Sequence, residues 1–461
     1  MTPTNRLPRK TAIAAFVGFV LGVGPLVAGG AAPQVPVVKQ AQLPMVTGPV
    51  TGPGAMFPAF SQNSMTGEQA VAPPGTGLSD FGYETTEYFV SGTAAGKPYT
   101  TRILVRNPKD MKKFSGVVVS ESMHASGIAW MFFDTRVYMM NAGHAHVEIA
   151  AQKAPLENSV IKFNQERYKS LSIPDAAQIN EIIAQVGALI KSKTGPFAAL
   201  PVRKSILMGT SNTSAVLRAY LPTHMATRLA DGGPIFDGFY ATSTGGANPI
   251  QKVDVPLVHL ATLTEVNAEA ARGNGYRRPD GDEPGNQYRL YEVAGMPHNE
   301  SRDNPTYIPN PCEKPISQVP VGALMSMGLR HLVDWVNKGT VPPHAERVVV
   351  DGDTANDGSV FALDANGNVK GGVRNVYVDV PMAKYGVPNV AQPKPGTRVD
   401  FYCNIAGWQE PFPADKLKSL YKEPKAYQKK VEERVKQLVR EGWYLSEYVK
   451  EAQSDAAKVM F

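Results

Sequence analysis

The sequence predicts an α/β fold in which a mostly parallel central sheet is covered on both faces by helices. Three observations predict it. Short unbroken apolar runs such as Gly116 to Ser120 read as strands buried on both faces, because a strand with one wet face alternates instead. These runs alternate along the chain with helical segments, the order that builds parallel βαβ units. The composition, 43% hydrophobic and 19% charged over 461 residues, supplies enough core for a large domain and argues against overall disorder.

Taken from the N-terminus, residues 1–30 read as an export signal. Arg6, Arg9 and Lys10 form a positive start, Thr11 to Ala28 an apolar run, and Ala28-Gly29-Gly30 a small-residue cleavage site. Gly18, Gly22, Gly24 and Pro25 weaken the alternative of a retained membrane anchor. The expectation is a mature protein, secreted or periplasmic, with no stable membrane insertion. Residues 31–78 are rich in Pro and Gly and read as an extended arm.

Regular structure is expected from Tyr83 onward. Glu84 to Ser91 and Tyr99 to Arg106 read as two strands joined by a turn over Gly92 to Lys97, forming an antiparallel edge. Ala129 to Met140 is helical in composition, and His144 to Ala151 is strand-like. Pro174 to Lys191 is an amphipathic helix, with Ile179, Ile182, Ile183, Val186 and Ile190 on one stripe. Ser205 to Met208 is a strand running into a helix that starts near Thr213. Phe236 to Thr242, Pro256 to Leu263 and Tyr288 to Val293 are further strands, and Val321 to Asn337 is a helix. From about residue 345 the character changes: Val348 to Val380 suggests short strands between Asp/Gly/Asn turns, and Ala414 to Ala457 is charged and helical. These read as decorations on a domain spanning 79–461.

Composition also excludes partners. The 47 Lys+Arg against 41 Asp+Glu give +6, and three of the positive charges lie in the N-terminal signal. No basic stripe with interleaved aromatics exists, so nucleic-acid binding is excluded as a main role. Cys312 and Cys403 fit one disulfide in an oxidising compartment, with two buried thiols as the alternative.

The chemistry concentrates at Leu207-Met208-Gly209-Thr210-Ser211-Asn212-Thr213. A buried strand ends in a tight turn that lifts Ser211 between strand and helix, with the helix N-terminus and the Asn212 amide aimed at developing negative charge. An ordinary Ser/Thr helix cap would look similar. A serine nucleophile needs a base held by a carboxylate. His298 follows a strand on the Gly/Pro-shaped loop Ala294 to Asn299, and Glu265 follows the strand Val255 to Leu263. Ser, acid, His, each past a strand end, is a hydrolase order. Asp254, Asp280 and Asp282 are alternative acids. The second oxyanion donor is expected to be a backbone amide near Ser122 or Met123.

The segments VVVSESMHASG, ILMGTSNTSAVLRAYL, LATLTEVNAEAARGN, YRLYEVAGMPHNESRD and LRHLVDWVNKGTVPP resemble the alpha/beta hydrolase domain family of large exported bacterial proteins. The similarity continues through GGVRNVYVDVPMAKYG and FYCNIAGWQEPF. It implies the α/β-hydrolase fold and ester hydrolysis, with the family's serine, acid and histidine falling on Ser211, Glu265 and His298. Related elbows read G-x-S-Q-S-A, and this chain departs at Asn212 and Thr213.

A rival site is His144, His146 and Glu148, which alternate on one strand and so share a face. Three ligands without an evident fourth favour a hydrogen-bonded strand over zinc. The Asp351-Gly352-Asp353 and Asp364 to Asn368 turns lack the closing acidic ligand of a calcium loop. The helix KKVEERVKQLVREGWYL reads as a solvated amphipathic face. The expectation is therefore a serine esterase acting on a small or polymeric ester without cofactor or metal. The alternatives are a lactonase, peptidase or polyester depolymerase using the same residues, or a non-catalytic binding protein on the same fold.

Overall fold

The computed structural model describes residues 38–56, 75–246, 248–270, 273, 275–302, 309–350, 360–392 and 397–461. The expected signal at 1–30 and the Asp351-Gly352-Asp353 turn lie outside the described residues.

Nine strands form the central sheet: β1 (Met45–Thr47), β2 (Tyr83–Ala94), β3 (Lys97–Pro108), β4 (Val117–Ser122), β5 (Ala145–Ile149), β6 (Lys204–Thr210), β7 (Gly238–Thr242), β8 (Leu257–Ala261) and β9 (Tyr288–Glu292). Their spatial order is β9-β8-β7-β6-β4-β5-β3-β2-β1. β4 to β9 run parallel, and β3, β2 and β1 extend the sheet antiparallel. Strands β4, β5, β7, β8 and β9 are buried at every position, as unbroken apolar runs require when helices cover both faces.

The antiparallel edge is longer than the sequence suggests. Ala95 and Gly96, at φ 46° and 72°, form a two-residue turn, so pairing continues out to Ala94 with Lys97. Such turns match the natural twist of the flanking strands. β1 is an element that sequence reasoning did not resolve: part of the arm pairs with Phe89 to Ser91.

Helices α1 (Trp130–Asn141) and α5 (Val321–Lys338) pack together on one face; α2 (Ile179–Lys191) and α3 (Asn212–Ala226) cover the other. α2 buries Ile182, Ile183, Val186 and Ile190, most of its predicted stripe. A short α4 (Leu263–Ala270) follows β8.

Beneath α1 lies a buried polar network. Arg102 and Arg106 on β3 both meet Glu148 on β5, at 3.0 and 2.8 Å, and Arg106 also meets His146 Nδ1 at 2.9 Å. His146 Nε2 lies 3.1 Å from Glu121 on β4, and Glu121 accepts the Met131 and Phe132 N–H groups of α1 at 3.1 and 2.7 Å. The arm joins this network. Arg102 donates to the Met56 carbonyl at 2.7 Å, Tyr168 accepts the Met56 N–H at 2.7 Å, and Arg167 donates to the carbonyls of Val50 to Pro53.

In the C-terminal region the expected short strands are isolated bridges, Val348 with Gly371, Val350 with Phe361 and Leu363 with Val369. Asp364 accepts the Asn366 and Asn368 N–H groups at 2.8 and 2.9 Å, which makes its loop an ordinary Asx turn. Among the described residues a short helical turn (Val376–Asp379) follows, and then α6 (Thr397–Ile405), α7 (Ala414–Tyr421), α8 (Pro424–Glu441) and α9 (Val449–Ala457). α8 is solvated on one face only, since Tyr427, Val431, Val435 and Leu438 are buried. Cys312 and Cys403 form a disulfide. Among the described residues no helix is long and apolar enough to cross a membrane.

Burial pushes the Glu121 carboxyl up to about 8 from its usual 4.5, although the Phe132 and Met131 N–H groups oppose the rise. The folded chain therefore holds one proton more than the unfolded chain between those values, and this group makes stability fall as pH rises, by on the order of 1 kcal/mol per pH unit. Glu121→Gln is expected to remove that slope in urea unfolding measured from about pH 5 to about pH 8. An unchanged slope would show that Glu121 is not the group responsible.

Candidate active site

β4 and β6 are neighbours, but β5 lies on one side of the pair and β7 to β9 on the other. The loops leaving their carboxyl ends therefore diverge and open a crevice, the usual ligand position in an open α/β sheet. Ser211 follows β6 at this point.

Ser211 has φ 52° and ψ −119°, a combination that a side-chain-bearing residue adopts only under constraint. Its N–H donates to the Thr242 carbonyl of β7 at 3.3 Å, and its carbonyl accepts the Ala215 N–H of α3 at 3.1 Å. Glycine is required at 209, because a Cβ there would stand 2.4 Å from the Thr213 carbonyl oxygen. Thr213, which departs from the familiar elbow, has a role of its own. Its hydroxyl accepts the Thr210 N–H and donates to the Thr210 carbonyl, both at 2.9 Å, and so clasps the turn.

Glu265 sits in the first turn of α4 rather than on the end of β8. Thr262 and Glu265 form an S/T-x-x-E box: Glu265 Oε2 accepts the Thr262 N–H at 3.1 Å and the Thr262 hydroxyl at 2.5 Å. The other oxygen, Oε1, lies 2.6 Å from His298 Nδ1. Both side chains are about nine-tenths buried, with 11% and 9% exposed. Burial alone would raise the Glu265 pKa. The His298 charge and hydrogen bond, together with Thr262, hold it below the usual carboxylate value instead. The His298 loop is anchored to the same turn, because its N–H donates to the Thr264 hydroxyl at 3.1 Å and the Leu263 N–H donates to the Met296 carbonyl at 2.8 Å. The alternative acids are engaged elsewhere. Asp254 bonds His224 and Arg228, Asp280 bonds Arg347, and Asp282 bonds Arg289.

The loop from β4 to α1 is fastened to Asn212, the neighbour of Ser211. Asn212 Oδ1 accepts the Ala125 N–H at 3.3 Å and Gln152 Nε2 at 3.0 Å, and Gln152 also donates to the Met123 carbonyl at 2.9 Å. The amides of this loop are engaged internally. Met123 N–H goes to Ile149, His124 N–H to Ile128, Ser126 N–H to His124 Nδ1 and Gly127 N–H to His124. With Met123 bonded to β5, the alternation of the ladder turns the Ser122 amide toward β6. Ser122 itself ends β4, buried, and its hydroxyl has no partner among the described residues. His124 and Gln152 are site neighbours that sequence reasoning missed, having no motif to mark them. The Thr262 box was readable as T-x-x-E.

His144, His146 and Glu148 point their polar atoms into other bonds. His144 bonds Ser115 and Tyr138, His146 bonds Arg106 and Glu121, and Glu148 bonds both buried arginines. Among the described residues no group of three or more His, Cys, Asp or Glu is arranged to hold a metal ion.

A family model described as alpha/beta hydrolase domain matches residues 46–454, nearly the whole of the described chain. The chain belongs to the alpha/beta hydrolase domain family. The match begins at Val46, within β1. A search of curated proteins returns no match. Similar solved structures include a cold-adapted esterase from an Arctic intertidal metagenomic library, 13% identical, covering 45% of this chain and 84% of its own, with a TM-score of 0.27. Fungal esterases from Rhizomucor miehei are 10% identical, covering 46% and 74%, with a TM-score of 0.29. A thermostable carboxyl esterase from Bacillus coagulans is 15% identical, covering 36% and 46%, with a TM-score of 0.23. Likenesses of this size carry no argument about activity, and the family match carries the fold.

The elbow makes two stability predictions. Gly209→Ala forces backbone apart at 2.4 Å and is expected to destabilise by about 1–3 kcal/mol. Thr213→Val leaves the Thr210 N–H unpaired and costs a similar amount, roughly 1–3 kcal/mol, whereas Thr213→Ser is nearly neutral. Urea midpoints check both, and a wild-type midpoint for Thr213→Val would mean that the clasp does not hold the turn.

Proposed function

We propose that this member of the alpha/beta hydrolase domain family is an exported serine hydrolase that cleaves a carboxylic ester through Ser211, His298 and Glu265. The observation that carries this reading is the constrained backbone of Ser211, on the same carboxyl edge of the sheet as the His298–Glu265 pair. Export is supported by the disulfide and by the signal-like N-terminus.

In this mechanism Glu265 Oε1 fixes the His298 proton on Nδ1, leaving the Nε2 lone pair as base. Ser211 Oγ attacks the ester carbonyl carbon while Nε2 takes its proton. The carbonyl oxygen becomes an oxyanion, stabilised by the Asn212 N–H at the positive end of α3. The carbon–oxygen bond to the alcohol breaks as His298 delivers its proton to the leaving oxygen, and the acyl group stays on Ser211. Water, deprotonated by His298, then attacks the acyl-enzyme, and the proton returns to Ser211 as the acid departs. The negative charge of Glu265, favoured by its depressed pKa, stabilises the imidazolium formed in each half.

A fluorophosphonate is expected to add to Ser211, located by peptide mapping, and a panel of model esters, lactones and amides to show ester turnover. Ser211→Ala should abolish labelling and turnover with an unchanged fold. Glu265→Gln should lower kcat roughly 10³- to 10⁴-fold, because the imidazole loses its fixed tautomer. A folded wild-type protein with neither adduct nor turnover would overturn the reading in favour of a binding protein on this fold.

A further inference from the structure

We propose that His124 is the second oxyanion donor, presenting its Nε2–H where related folds would use a backbone amide; this rests on the serine-hydrolase reading above. The first support is elimination. In the loop that faces Ser211, the amides of residues 123 to 127 except Ala125 bond within the loop or to β5. The Ala125 amide bonds Asn212 Oδ1, and the Ser122 amide is turned toward β6. Asn212 offers one N–H, and a stabilised oxyanion needs at least one more donor.

The second support is the tautomer. His124 Nδ1 accepts the Ser126 N–H at 3.1 Å, so that nitrogen carries no proton. The Ser126 hydroxyl lies 2.9 Å from the same nitrogen and accepts Trp130 Nε1–H at 2.9 Å, which leaves its own proton for Nδ1. In the neutral ring the proton is therefore on Nε2, and Nε2 makes no hydrogen bond among the described residues. His144 and His146, by contrast, engage both ring nitrogens in the fold.

Location is the third support. The Ala125 N–H to Asn212 bond sets His124 beside the elbow. Burial, and then the charge of His298, push His124 down to about 4, so the ring stays neutral and keeps its Nε2 proton while His298 cycles.

His124→Ala is expected to lower kcat roughly 10²-fold or more while KM moves little, since the contact strengthens only as charge develops. Affinity for a trifluoromethyl ketone, whose Ser211 adduct carries the same oxyanion, should fall by a similar factor. His124→Gln, whose amide nitrogen reaches the position of Nε2, should recover about tenfold of the loss, and His124→Asn should not. Wild-type kcat and ketone affinity in His124→Ala, with Ser211 still labelled by fluorophosphonate, overturn the inference and leave the hydrolase reading standing. No labelling or turnover in the wild type overturns both. If His124→Ala fails to fold, equal activity in the Gln and Asn variants overturns the inference.

Discussion

The backbone of Ser211 is the constraint on which the rest of the structure depends. Its left-handed φ costs on the order of 1–3 kcal/mol and persists only because the surroundings over-determine it. β7 holds its N–H, α3 holds its carbonyl, and Thr213 clasps the residue before it. Gly209 lets α3 approach closely enough for these bonds to form together. Each is worth only about 0.5–1.5 kcal/mol net, so several must act at once to offset the strain. The result is a hydroxyl raised above the sheet edge with a helix N-terminus behind it.

Glu265 and His298 are stabilised by the same logic of shared anchors. Glu265 serves as a helix-capping residue with one oxygen and as the partner of His298 with the other. A buried carboxylate is costly unless each oxygen is satisfied, and this division satisfies both. The C-terminal extension braces the His298 loop from outside. Asn299 bridges Ala406, Pro297 packs where a Cβ on Gly407 would stand, and Gly295 leaves room for Val378. The disulfide closes a loop over 91 positions of sequence next to this contact, a constraint on the order of 4 kcal/mol in the chain-entropy model.

What was legible in the sequence follows from which forces are local. The buried parallel strands announce themselves as unbroken apolar runs, and the order Ser211, Glu265, His298, each in the segment that follows a strand, is a pattern of topology that spacing preserves. Side-chain satisfaction is not local. Thr213 looked like a defect in the elbow because its partner is a backbone group whose position depends on the fold. His144, His146 and Glu148 read as a hydrogen-bonded strand rather than a zinc site, but their partners could not be named, because those of His146 and Glu148, namely Arg102, Arg106 and Glu121, come from two other strands. β1 escaped notice because a three-residue edge strand is stabilised by its neighbour, not by its own pattern.

The same buried polar groups tie the arm to the edge of the sheet that carries Ser211. Met56 is held by Arg102, Arg102 by Glu148, Glu148 by Arg106, Arg106 by His146, and His146 by Glu121. Glu121 then receives the first N–H groups of α1, the helix that ends the loop bearing His124. Met56 also lies 3.6 Å from where a Cβ on Gly127 of that loop would stand. Removing Glu148 leaves the buried Arg102 and Arg106 charges uncompensated by it, which is far more costly than losing an exposed pair. The arm is therefore a structural part of the loop that faces Ser211, and the placement of that loop depends on contacts that begin some seventy residues earlier in the chain, at Met56.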